Sequence, residues 1–122
     1  MKTLSSIFAV YALLVAPAMA DEPEIVSAMA DKVGMGWRIS VTLRHADTGW
    51  DHYADGWQIE DSAGHVITSR ELLHPHLQEQ PFTRSVSSVV VPDGVRELFV
   101  RAHCSVDGWG KDVYRIELSP DM

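Results

Sequence analysis

From residue 24 onward, apolar and polar residues alternate in short runs, each closed by turn-forming residues. A period of two puts one face of a strand inward and the other in water. The clearest run is 36–45, where Ile39, Val41 and Leu43 interleave with Ser40, Thr42 and Arg44. The run 97–104 repeats the pattern, with Leu98, Val100 and Ala102 against Phe99, Arg101 and His103. Trp57 and Ile59 are in phase within 53–61, as are Tyr114, Ile116 and Leu118 within 111–119. The runs 24–33, 65–73 and 83–91 complete a set of seven predicted strands. Asp61-Ser62-Ala63-Gly64, Pro92-Asp93-Gly94 and Asp107-Gly108-Trp109-Gly110 read as turns, and Pro75 with Pro81 marks 74–82 as a loop. No run carries a convincing helical period.

Seven short strands at regular spacing predict an all-β fold, a seven-stranded sandwich of the immunoglobulin or fibronectin-III kind. It occupies residues 21–122 as one domain. Residues 1–20 read differently. Lys2, the apolar run 4–16 and the small-x-small ending Ala18-Met19-Ala20 match a secretory signal peptide cleaved near Ala20. The run is too short to span a bilayer, and Pro17 interrupts it. No Cys follows the cleavage point, so a lipoprotein anchor is not expected, and the mature chain is expected in the periplasm or secreted, with no integral membrane segment.

Composition narrows the partners. The whole chain has 122 residues, ten Lys plus Arg, seventeen Asp plus Glu and a formal charge of −7, which becomes about −8 once Lys2 leaves with the leader. That balance excludes nucleic acid, whose binding rests on neutralising phosphates. One Cys cannot form an intrachain disulfide, so Cys104 in an oxidising compartment is buried, reactive or a metal ligand.

The strand count also places the six His. Antiparallel strands run alternately up and down, so the loops 46–52, 74–82 and 105–110 share one pole. That pole gathers His45, His52, His74, His76 and His103 with Cys104, Asp47, Asp51 and Asp107, while His65 begins at the other. Imidazoles, a thiolate and carboxylates are ligands for copper or zinc, with Asp available to accept from imidazole N–H groups. The candidate ligands are His45, His52, His74, His76 and His103, followed by Cys104 and Asp51. Phase qualifies the set: His45 is in register with buried Leu43, Cys104 with Ala102, and His103 with outward Arg101. Trp50, Tyr53, Phe82, Arg84 and Trp109 lie in or beside the same loops and form a candidate ligand or partner surface, for another periplasmic protein. The alternative for Trp50 and Trp109 is that they close the end of the core. Arg44 and Arg84 are potential ion-pair partners for Asp47, Asp51 or Glu79.

Phe99 to Gly110 resembles the sixth strand and following turn of fibronectin type III domains. The segments RHADTGWDHYADGW (44–57), LLHPHLQEQPFTRS (72–85) and RAHCSVDGWG (101–110) resemble a family of small exported bacterial proteins, which implies fold and location but no activity. His74-Pro75 and Cys104-Ser105-Val106-Asp107-Gly108 also resemble segments of superoxide reductases, which hold iron with four His and one Cys on an immunoglobulin-like sandwich. Asp107 stands where that family has a His ligand. The His and Met that follow the late Cys of blue-copper proteins are missing here. No phosphate loop, nucleophile elbow or HExxH occurs, and no catalytic residue is singled out. The reading is therefore a metal-binding protein for delivery or sequestration, or else a non-catalytic interaction or structural module, with a superoxide-reductase-like iron protein as the third alternative.

Overall fold

A computed structural model of the chain describes residues 22–118. The leader expected at residues 1–20 lies outside them. Eight strands occur, and no helix is present among the described residues: β1 (Glu24–Val33), β2 (Gly36–Arg44), β3 (Ala54–Glu60), β4 (Val66–Glu71), β5 (Phe82–Val89), β6 (Glu97–Cys104), β7 (Gly108–Trp109) and β8 (Tyr114–Glu117). All pairings are antiparallel. One sheet has the order β1-β2-β5, the other β4-β3-β6-β7, with β8 also paired to β6. The eighth strand is the two-residue β7, within the turn expected at 107–110: Gly108, at φ 79°, lets the chain fold back so that Trp109 pairs with His103. The strand expected at 111–119 narrows to β8.

The alternation seen in the sequence is what joins the sheets. Ile39, Val41 and Leu43 of β2 face Trp57 and Ile59 of β3 and Leu98, Val100 and Ala102 of β6 in one buried cluster. Each large apolar side chain removed from water contributes about 1.5–3 kcal/mol. On the wet face of β2, Ser40 and Ser85 hydroxyls lie 2.8 Å apart, and those of Thr42 and Thr83 2.7 Å apart, at directly opposed positions. These cross-strand pairs help fix the register of β2 against β5.

The second sheet is covered on part of its outer face too. Glu60, 6% exposed, accepts from Gln58 Nε2 (2.7 Å) and Arg101 Nε (2.8 Å). Arg101 also donates to the Gly110 carbonyl at 2.8 Å. Burial raises the Glu60 pKa, but the bonds from Arg101 and Gln58 outweigh it, and the carboxyl lies below its ordinary value.

Candidate metal centre

The site is assembled where β2 ends and β3 begins. Beyond β2, the Asp47 amide donates to the His45 carbonyl (2.8 Å), and a tight hairpin follows. Thr48 N donates to His52 O (3.0 Å) and His52 N to Gly49 O (3.1 Å). Gly49 holds φ 154°, and a Cβ there would meet Asp51 Oδ1 at 3.3 Å. The hairpin turns His52 back toward the sandwich and leaves Trp50 at its tip, 69% exposed and edge-to-face with Tyr53. Two bonds clamp the hairpin to the end of β6: Ser105 N donates to Tyr53 O (2.9 Å) and Tyr53 N to Ser105 Oγ (3.0 Å). Ala54 is paired with Cys104.

The outcome is that His45, His52 and Cys104 converge, each offering a donor atom within 4.8 Å of the others. His45 and Cys104 are buried, and His52 is half-buried. The rings of His45 and His52 sit 5.1 Å apart at 76°. Ligands on one tetrahedral ion lie about 3.4 Å apart, given bond lengths of about 2.0–2.3 Å, so small side-chain rotations would close the set. The Cys104 thiol lies 3.9 Å from Asp107 Oδ2.

Asp47 orients this group. Its side chain is wholly buried, and Oδ1 accepts from His45 Nδ1 (2.5 Å) and from Ala54 N (3.0 Å). Oδ2 accepts from the His76 amide (2.8 Å). A carboxylate on one ring nitrogen is the kind of contact that orients a metal-binding imidazole.

The other sequence candidates go elsewhere. His76 is buried, stacks on Phe82 with centroids 3.8 Å apart, and has Nε2 3.0 Å from an Arg84 guanidinium nitrogen. Arginine has only donors, so this lone pair is taken. Burial, then Arg84 and His74, hold the His76 pKa below its ordinary value against the pull of Asp47 and Glu79. His74 is exposed, its Nδ1 3.0 Å from the Pro75 carbonyl oxygen and its ring beside His76. His103 faces outward, paired with Asp55 through Nδ1 and set edge-to-face against Trp109. Asp51 is exposed on the hairpin. Phe82, 2% exposed, belongs to the core and not to a surface, because its strand turns it under His76. Trp109 is 48% exposed. Arg84 pairs with Glu79 at 2.8 Å, and Arg44 with Glu24 at 3.1 Å. His65, at the other end, lies against Asp61 at 3.2 Å.

The sequence pattern had put His45, His52 and Cys104 at one pole along with others that do not join them. Asp47 carries more of the site than its type suggested; its offset of two from His45 was the signal available.

Fold and cluster together define an antiparallel two-sheet protein with a histidine–cysteine group at one end. No family model matches the chain. A protein of Halomicrobium mukohataei named "Putative lipoprotein" is 47% identical to it over 77 residues, 63% of this chain. The aligned part is 37% of that protein's length. No solved structure matches.

Proposed function

We propose that the chain is an exported, immunoglobulin-like protein that binds one copper or zinc ion through His45, His52 and Cys104, for delivery or sequestration. The convergence of two imidazoles and a thiol, with Asp47 orienting one imidazole, carries this reading. A thiolate with imidazoles suits copper and zinc over the oxygen-seeking magnesium and calcium, and copper leads on affinity order. The late-Cys spacing of blue-copper proteins is missing, but the same donor types are supplied from upstream by the hairpin that carries His52. Export is supported by the pattern of residues 1–20 and by the name of the Halomicrobium protein. No helix among the described residues is long and apolar enough to cross a membrane.

The test is titration of the tag-free exported chain with copper and zinc. One ion should bind per chain with Kd tighter than about 1 μM, or about −8 kcal/mol. Copper(II) should give a visible thiolate charge-transfer band that Cys104→Ser abolishes. His45→Ala should weaken binding sharply, and His74→Ala should leave it unchanged. Binding unaffected by Cys104→Ser and His45→Ala would overturn the reading.

A second reading has its own observation. Trp50 is 69% exposed, and Leu73 and Leu77 on the neighbouring loop are 70% and 60% exposed. This supports a partner surface at the same pole, which predicts no stoichiometric metal uptake in that titration.

A further inference from the structure

The outer face of the second sheet carries a groove that the metal centre does not use. Its volume is about 250 Å³. One cross-strand row builds it: Glu71 on β4, Gly56 on β3, His103 on β6 and Trp109 on β7 are successive partners. Gly56 contributes no side chain, so the row is open at its middle. Strands two apart are separated by about 10 Å, which leaves a slot between Glu71 and His103. A Cβ on Gly56 would stand 3.1 Å from the Arg70 carbonyl oxygen, so the floor is backbone.

A register shift between Ala54 and Gly56 adds Asp55 to the wall. Simple alternation would give Asp55 and Gly56 opposite faces. The bulge re-aims Asp55, whose carboxylate meets His103 Nδ1 on the groove side. Ser69 completes the β4 bank. Arg70 also borders the groove, but it is paired with core-facing Trp57, so alternation turns its side chain from this face. Arg101, in the next outward row, is committed to Glu60 and the Gly110 carbonyl.

What remains is a surface of acceptors. Glu71 and Asp55 bring carboxylates. His103, donating Nδ1–H to Asp55, presents Nε2 as a lone pair in its neutral form. Trp109 offers a half-exposed indole, the best aromatic partner for a cation. The net charge of −7 adds a general attraction for positive ligands.

We propose that this groove binds an organic cation bearing N–H donors, a primary ammonium group, held by Glu71, the Asp55–His103 pair and Trp109. The proposal is independent of the metal reading. Its chemistry is shared by free alkylamines and by the lysine side chain of a peptide.

The experiment is an NMR titration of the full exported chain, metal-free and metal-loaded, at low salt and about pH 8. The signals read are those of the Trp109 indole and the His103 ring. Butylammonium should produce saturable shifts in both forms of the protein. Glu71→Gln, an exposed change that leaves the fold intact, should weaken the response at least about fivefold, and Trp109→Ala by a similar factor. Tighter binding of a lysine tripeptide than of butylammonium would assign the cation to a polypeptide, and the reverse to a free amine. No saturable shift at tens of millimolar would overturn the proposal. So would an equal response to tetramethylammonium, which has no N–H, or to neutral glucose, or a response that both variants leave unchanged.

Discussion

The carboxylate of Asp47, shielded completely from solvent, accepts from the His45 ring, the Ala54 amide and the His76 amide. These donors belong to the end of β2, the start of β3 and the loop before β5, so one side chain joins three segments. Removing a buried acceptor costs more than its bond is worth, because its donors are left in a dry site. Asp47→Ala is expected to lower unfolding stability by about 3 kcal/mol, read by urea denaturation. Asp47→Asn keeps the shape but turns an amide N–H₂ toward an existing donor, and is expected to cost about 2 kcal/mol. If His45 is a ligand, Asp47→Asn should also weaken metal binding about 10- to 100-fold, as loss of an orienting carboxylate does elsewhere. A stability loss with unchanged affinity would limit Asp47 to a structural part.

Strand β3 shows how a single irregularity decides what a face presents. Its bulge places Asp55 beside His103 while Gly56 keeps the row open. Gly56→Ala puts a methyl group 3.1 Å from the Arg70 carbonyl oxygen, and backbone must yield. A cost of about 1 kcal/mol is expected, measurable as a lower urea midpoint at unchanged m-value. Most of the strand pattern was legible, because β2 and β6 alternate without fault and their turns carry Gly, Pro and Asp. The phase of those strands also foretold that His45 and Cys104 are buried and His103 is not. Position at a pole does not carry that phase, so His103 shares a pole with residues that lie across the sheet from it. The bulge at Asp55 was not legible, since it arises from pairing with β6 and leaves no period in β3 itself. Neither was β7, which is two residues long and sits in a sequence rich in turn formers. The surroundings of His76 are hidden for a different reason: its neighbours in space, Arg84 and Phe82, lie past Pro81, and only the closed loop brings them onto the ring.

For the whole molecule, protonation links these local arrangements to stability through groups whose shifts agree in sign. His76 is held below its ordinary value of 6.5 mainly by burial, with Arg84 next. The unfolded chain therefore takes up a proton at a pH where the folded chain does not. Stability from His76 is fully present above about pH 6.5 and is lost as pH falls toward the lowered folded value. Glu60 is held below 4.5, where bonds from Arg101 and Gln58 overcome its burial. Asp61 is held below 3.8, chiefly by the His65 amide. Their contributions are present above those ordinary values and are lost on further acidification. The protein should thus lose stability in two stages, a shallow one below about pH 6.5 and a second below about pH 4.5. Urea midpoints measured from about pH 8 to about pH 2 would show both. His76→Gln should flatten the first stage while leaving the second, and Glu60→Gln should reduce the second while leaving the first. A first stage that persists unchanged in His76→Gln would overturn its assignment to His76.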